Sequence, residues 1–419
     1  MVNPTKKVDL LIAGAGLAGC ATACAAAQIG LNVALVESRP EGIYGDNRAI
    51  ALGFGSVLTL NQLGLWSHLS ENASQVKHIH VSRQGGMGTV HLNSDLLHLP
   101  ALGVVIPHKC LQLGMESALR QYGNLRIIRP ASVRGLEQKS DSVIAEIEIH
   151  DHATEIIHAT LVIGADGVNS KIRRMLDIAS TIHDYQQNAL VSDVDLACPP
   201  ASGSAYERFL DHGSVAALPL NPKKMSIVWN MPAMEAQAWL ESDSSGTVWS
   251  KAIERVLPQI APVRSATPPL GFPLKSLTAQ RRISGRALII GNAACQVHPV
   301  GAQGFNLVLD DVNLLFRLWK QAIEHNLDIG DTFLLRSFSI ASRDHQQRIL
   351  RLTDRLAQRL KGDGLLWPWL HGAGMFALDH ISGFKTSFLR QTTHITTPSL
   401  SGQEGPWSSH RTGEGFSHV

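Results

Sequence analysis

The chain has 419 residues, 44% of them apolar, which is too much for one ordinary core and predicts two lobes. A net charge of +2, with no basic stripe interleaved with aromatics, speaks against a nucleic-acid partner. Five cysteines, Cys20, Cys24, Cys110, Cys198 and Cys295, are odd in number, scattered and without metal spacing, so a reducing cytoplasmic setting is expected, with no metal.

In chain order, the basic pair Lys6-Lys7 enters the apolar run Val8–Gly14 at once, which leaves no room for a signal peptide. That run reads as a buried strand ending in Gly14-Ala15-Gly16-Leu17-Ala18-Gly19. An Ala-rich helix follows to about Gly30, and a second strand, Leu31–Glu37, closes a βαβ unit. The three glycines serve different ends. Gly14 allows the tight turn, Gly16 lets backbone approach a pyrophosphate, and Gly19 lets helix pack on strand. Glu37, followed by Ser38, falls where a carboxylate accepts hydrogen bonds from an adenosine ribose. The rival reading is a membrane helix, since no charge occurs between Leu10 and Val36; three glycines in six residues and β-rich flanks argue against it.

Further on, Asp46-Asn47-Arg48 forms a polar turn, and residues 75–100 show short alternating runs expected of strands. Pro107-His108 opens a helical stretch carrying Gln112. The apolar run Leu161–Ala165 ends in Asp166-Gly167, with Ser170 placed to cap the short basic helix that begins at Lys171. An ordinary strand-to-helix turn reads the same way. Residues 183–271 return to alternating runs, among them Ala205-Tyr206-Glu207-Arg208-Phe209. Tyr206 and Arg208 are candidates to face a substrate, although a strand pair on a solvated face has the same pattern.

A third strand, Arg286–Ile290, reaches Gly291-Asn292-Ala293-Ala294-Cys295. The run His298-Pro299-Val300-Gly301-Ala302-Gln303-Gly304-Phe305-Asn306 then leads into an amphipathic helix. Amides at a helix N-terminus favour an anion or an electron-rich carbonyl, although a Gly-rich turn is also plain chain geometry. Residues 333–360 read as helix. Leu365-Leu366-Trp367-Pro368-Trp369-Leu370, with Met375-Phe376, is either a packed helix or an apolar contact for a lipid tail or membrane. After Thr392 the composition predicts disorder.

The three glycine turns, in this order, resemble those of the flavoprotein aromatic hydroxylases, with their N-terminal GxGxxG, central DG and C-terminal GD motifs. The resemblance runs from about Val8 to about Lys320. It is nearest the UbiH/UbiF/VisC branch, whose UbiH-like members hydroxylate 2-polyprenyl-6-methoxyphenol. It rests on the GNAA turn, His298-Pro299, Gln303–Asn306, and Ala205–Phe209 followed by His212-Gly213. Asn292 stands where the wider family has Asp, and Cys295 where it has His. Asn keeps one carbonyl acceptor and adds two donors, and Asn at this position is common in the ubiquinone branch. Cys295 is expected to pack as a small apolar residue.

The resemblance implies an α/β fold, with a Rossmann-like FAD-binding domain (8–74, 101–182 and 272–330) interrupted by a β-sheet substrate domain (75–100 and 183–271). Helices at 331–391 and a tail at 392–419 follow. It also implies that Arg48 and Gln112 face FAD, that NAD(P)H visits transiently without a domain of its own, and that dioxygen and a polyprenylated phenol are substrates. Reduced flavin and its 4a-hydroperoxide would deliver the oxygen, with the amides of Pro299–Asn306 against the ring. Within the motifs His298 is the one candidate general base; packing before Pro299 is its other role. A ubiquinone-assembly partner and peripheral membrane contact go with such a substrate. Competing readings are another ring hydroxylase of the same pathway, a flavin reductase or dehydrogenase that inserts no oxygen, and a non-catalytic flavin-fold scaffold.

Overall fold

The computed structural model describes residues 6–42, 48–85, 89–150, 153–242, 246–297, 304–359 and 393, with side chains undescribed at 242, 344–345 and 348–359. The chain opens with β1 (Lys6–Ala13), α1 (Leu17–Gln28) and β2 (Val33–Val36), the expected βαβ unit. Then come β3 (Ala49–Gly53), α2 (Phe54–Gln62), β4 (Ser74–Val76), β5 (His78–Arg83), β6 (Thr89–Asn93), β7 (Gly103–Pro107), α3 (His108–Leu119) and β8 (Leu125–Ile128). A meander of β9 (Ala131–Gln138), β10 (Val143–Ile149) and β11 (Ala153–Gly164) leads into α4 (Lys171–Met175).

The middle of the chain holds β12 (Ser180–Leu196), β13 (Ser204–Leu210), β14 (Gly213–Asn221) and β15 (Lys224–Pro232). The helices α5 (Ala233–Ser242) and α6 (Thr247–Val256) and the strands β16 (Val263–Ala266) and β17 (Leu270–Ala279) follow. It closes with β18 (Ile283–Ser284), β19 (Ala287–Ile289), β20 (Cys295–Gln296), α7 (Gly304–Glu324) and α8 (Thr332–Arg359).

Among the described residues the strands form three sheets. The first runs β18-β19-β11-β1-β2-β8, parallel from β19 to β8, with β10 and β9 added on β11. Its strands are near-continuous apolar runs because both faces are covered. Leu10 and Ile12 pack beneath α1, α3 and α7, and Leu11 and Ala13 pack on the side of the β9–β11 meander and α4. Helix α1 is buried almost all round, which its small Ala and Gly side chains permit.

The second sheet is mainly antiparallel, β20-β17-β12-β15-β14-β13-β5-β6, with β16 on β12. One face packs under α5 and α6 around Trp229 and Trp249. The other meets a three-stranded sheet, β3-β7-β4, through Ala49, Ala51, Val76, Val105, Ala205 and Leu218. Memberships differ from the sequence-based boundaries at 180–182, 272–279 and 295–296, expected with the cofactor lobe but strands of the second sheet, and at 75–76, expected with the substrate domain but part of β4 in the three-stranded sheet.

Thr393, in the segment expected to be disordered, is buried, and its carbonyl accepts the Gly55 N–H at 2.8 Å. The first-turn amides of α2 need acceptors, and this carbonyl satisfies one of them. The Leu365–Leu370 stretch lies outside the described residues. No described helix is long and apolar enough to cross a membrane.

Candidate functional site

Three turns far apart in sequence leave one edge of the first sheet. Ala13 is in register with Gly164 and Gly164 with Ile289, so β1, β11 and β19 end level with each other. Backbone bonds tie the exits together: Ala165 N–H donates to Ala13 O at 2.8 Å, and Ile290 N–H to Gly164 O at 3.0 Å. The C-terminal edge of a parallel sheet, where loops diverge from packed strands, is where such folds hold ligands.

The glycines divide the work as their spacing predicts. Gly14 has φ +99°, and a Cβ there would lie 2.6 Å from Ala165 O, so the first turn seats directly on the second. At Gly19 a Cβ would come within 1.8 Å of Gly14 O, which brings α1 hard against its own entry turn. At Gly16 a Cβ would meet nothing within 4 Å, and the helix start has no side-chain cap. The space beside this uncapped helix start is open, a cradle that a side chain would fill and that suits a pyrophosphate. Leu17 and Ala18 begin α1, and Ala18 Cβ would lie 2.9 Å from a Cβ placed on Gly291, so the third turn packs on the first helix.

Polar side chains hold the cradle's shape. Glu37 is buried; one carboxylate oxygen accepts the Ala15 N–H at 2.8 Å, and the other accepts from Arg39 N–H at 2.9 Å and from Ser38 Oγ at 3.3 Å. Burial alone would raise this carboxyl, but the amides of Arg39 and Ala15 and the Arg39 guanidinium outweigh it and hold it below the usual carboxylate range. Gln112, buried, donates to Ala15 O at 2.7 Å and to Glu116 at 3.0 Å; Glu116 in turn takes Arg129 at 3.2 Å. Its contact in the structure is thus the backbone of the Gly14–Gly19 turn.

In the second turn Asp166 accepts from Ser170 Oγ and from the Lys171 amide at 2.7 Å, and Ser170 Oγ caps α4 through the Arg173 amide at 2.9 Å. Gly167 has φ +80° with open space beside it. Sequence reasoning passed over Arg173. It is buried, and its guanidinium donates to Ala293 O and Val168 O, both at 2.8 Å, clamping the third turn to the second. The signal was there in an Arg beside apolar Ile172, but a short basic helix reads as surface.

The third turn leaves Asn292 exposed at the sheet edge, while Ala293 and Ala294 are buried. Within a few residues the chain becomes β20, with Cys295 opposite Thr278 of β17, so this turn joins the two lobes. Burial pushes the Cys295 thiol up, which keeps it protonated as a packing residue. His298, Pro299, Gly301, Ala302 and Gln303 lie outside the described residues. Gly304 and Phe305 start α7. Asn306, expected to face the cofactor, is buried with its side chain committed elsewhere: Oδ1 accepts from Gly53 N–H at 2.9 Å and Ser56 Oγ at 2.7 Å, and Nδ2 donates to Ala51 O at 3.0 Å. It pins the helix start to β3 and α2, and what this position offers a ligand is backbone. The Arg48 guanidinium sits 4.4 Å over the Phe272 ring of β17, between the lobes.

The second sheet supplies a floor. Direct cross-strand partners share a face. One row on the face toward the first lobe reads Phe272, Ala189, Asn230, Ser214, Phe209, Arg83, and the next reads Leu270, Val191, Val228, Ala216, Glu207, Val81. Tyr206 and Arg208, expected on the substrate side, turn the other way. Tyr206 is buried in the cluster under α5 and α6 and stacks on His80 at 5.0 Å, and Arg208, two residues on, shares its face. With a side-chain period of two, a one-residue difference in register decides the face, and the residue on the floor is Glu207.

An uncapped helix start, a glycine cradle and an acid at the end of the second strand fit an FAD pyrophosphate and ribose. With the floor sheet below, they define a flavin-dependent monooxygenase. The chain belongs to the FAD binding domain family, matched over residues 7–353. It is 28% identical to the ubiquinone hydroxylase UbiL of Rhodospirillum rubrum, over 92% of this chain and 89% of that one. It is 29% identical to the 3-demethoxyubiquinol 3-hydroxylase of Escherichia coli K12, over 73% and 78%. Its fold matches p-nitrophenol 4-monooxygenase PnpA from Pseudomonas putida with a TM-score of 0.75 at 16% identity, over 93% of this chain and 99% of that one.

Proposed function

We propose that the protein hydroxylates the aromatic ring of a polyprenylated methoxyphenol in ubiquinone biosynthesis, with FAD as cofactor, NAD(P)H as reductant and dioxygen as co-substrate. The observation that carries this reading is the meeting of the three turns on one sheet edge, beside a second sheet that presents Val191, Val228, Ala216 and Phe209, in a chain whose relatives are named as ubiquinone hydroxylases. When bound, FAD that has been reduced and has met dioxygen supplies an electrophilic oxygen atom.

The chain's own residues bind, orient and exclude water. The amides at Gly16–Ala18 would hold the pyrophosphate, Glu37 would serve the ribose, and Asn292 would offer its amide to the ribityl chain. Gln112 and Arg173 hold the turns to shape from behind. By the family resemblance, Pro299, Gly301, Ala302, Gln303 and Gly304 would line the flavin. The Val191, Val228, Ala216 and Phe209 side chains of the floor keep the phenol ring dry while oxygen is transferred. A polyprenyl tail partitions into lipid, so the protein works from the cytoplasm with peripheral contact to the membrane or to a biosynthetic assembly.

Deletion of the gene, followed by mass identification of the quinone precursor that accumulates, tests the reading. A single prenylated phenol lacking one ring oxygen is expected, and undisturbed ubiquinone would refute it.

A further inference from the structure

Resting on the reading above, we propose that Glu207 is the proton acceptor for the substrate's phenol hydroxyl. Its place in the fold carries the assignment. Glu207 is in register with Val81 of β5 and Ala216 of β14, and its neighbour Ala205 packs against Ala49, Ala51 and Val105 of the first lobe. The side chain therefore points to the face where the lobes meet.

Of the elements packed against that face, β3, β4, β7 and α2 contain no charged or titratable residue, and the short helical turn Ser94–Leu97, whose Leu97 packs with Val81, carries Asp95, which is exposed and bonded to Asn93 at 3.1 Å. On the sheet's own face, Arg83 of β5 lies beyond Glu207 in the adjoining row, and Arg48 covers Phe272 at that row's far end. Asp193 and Lys224 pair with each other at 3.2 Å, and Asp195 takes Ser265 at 3.0 Å. His80, Tyr206 and Arg208 occupy the opposite face. Glu207 is thus a carboxyl between apolar Val81 and Ala216 in its own row, with no cation paired to it among the described residues.

A second observation points to a ligand. Asn230, 5% exposed, donates to Ser214 Oγ at 3.1 Å, yet its Oδ1 is buried with no partner among the described residues. A buried acceptor without a donor is costly, and a ligand hydroxyl beside Ser214 would satisfy it. Burial pushes the Glu207 carboxyl up to about 7, with Ser214 opposing. That is where a general base works best at neutral pH.

The proton inventory closes. The phenol O–H proton passes to the Glu207 carboxylate, and the electron pair it leaves raises the nucleophilicity of the ring carbon that bonds to the incoming oxygen. That carbon's hydrogen then leaves as the proton that helps release dioxygen's second atom as water, and the proton on Glu207 returns to the product's phenol oxygen. Reduced flavin supplies both electrons.

The test uses the FAD-loaded wild type, Glu207→Gln and Ser214→Ala with a short-chain 2-prenyl-6-methoxyphenol, following product, reductant consumption and FAD content across pH. The wild-type kcat/KM should rise through an inflection near pH 7. Glu207→Gln should keep FAD and substrate-stimulated reductant consumption, lose about 100-fold or more of product, and lose the inflection. In Ser214→Ala, product formation persists and the inflection moves upward, because the bond that lowers the carboxyl's proton affinity is gone. Unchanged product and pH profile in Glu207→Gln, or an inflection unmoved in Ser214→Ala, would overturn the assignment. A wild type that makes no product from the phenol at any pH would instead overturn the reading it rests on, and the assignment with it.

Discussion

Substituting Gly16 and Gly19 separates binding from folding within a single turn. At Gly16 the backbone is extended, with φ −71° and ψ −177°, which any residue adopts, and an added Cβ meets nothing within 4 Å. Gly16→Val should therefore cost the fold only about 1 kcal/mol, the difference between glycine and a poor helix cap. The isopropyl group, however, fills the space the pyrophosphate would take. Losing two amide bonds to a charged phosphate, at about 1.5–3 kcal/mol each, weakens FAD binding by roughly 100-fold to 10,000-fold. At Gly19 a Cβ would lie 1.8 Å from the Gly14 carbonyl oxygen, a backbone atom that cannot swing aside. Gly19→Ala should cost about 1–3 kcal/mol or more through overpacking.

The assay is the FAD-to-protein absorbance ratio of each purified variant together with its thermal unfolding. Gly16→Val should be colourless with a Tm close to that of wild-type apoprotein, and Gly19→Ala should unfold several degrees lower. A yellow Gly16→Val at normal stoichiometry would refute the placement of the pyrophosphate, and an unshifted Gly19→Ala would refute the packing argument.

Three further outcomes follow from the same geometry. Arg173→Met leaves Ala293 O and Val168 O without their charged donor, which should cost about 3 kcal/mol in urea unfolding and lower FAD retention; an unchanged midpoint would show that the clamp carries no energy. Asn306→Leu removes three hydrogen bonds of a buried side chain that join α7 to β3 and α2, so stability should fall by about 3 kcal/mol while folded protein still binds FAD; loss of FAD with stability intact would instead place Asn306 at the flavin. Because Glu37 is held below its ordinary value in the fold, its contribution is complete above the unfolded carboxyl's range, near 4.5, and is lost as pH falls through the depressed value. The Tm gap between wild type and Glu37→Gln should therefore be widest near neutral pH and close on acidification, and a gap independent of pH would contradict this.

The sequence was most informative where one residue type answers one backbone demand. Gly14 and Gly19 sit where the sterics of the turn admit little else, Gly16 between them leaves the space beside the helix start open, and Ser170 caps its helix as its position predicts. Side-chain destinations were harder to read. The residues Asn306 and Gln112 carry the polarity expected of ligand contacts, but each has a bond to backbone in another element, 253 and 97 residues away, and such pairings have no local signature. Arg173 was hidden for the same reason. For Tyr206 and Arg208 the alternation marked a strand but not which face the floor would use; that depends on how β13 docks against the first lobe, and this moved the substrate side to Glu207.

The roles proposed for the cradle, the floor and Glu207 all depend on this chain inserting an atom of dioxygen into an aromatic ring. The direct measurement supplies isotopically labelled oxygen gas to the FAD-loaded protein with a reductant and a 2-prenyl-6-methoxyphenol, and weighs the product. One labelled atom on the ring is predicted. Consumption of reductant with no label in any product, or oxygen arriving only from water, would contradict ring hydroxylation and leave a flavin reductase in its place.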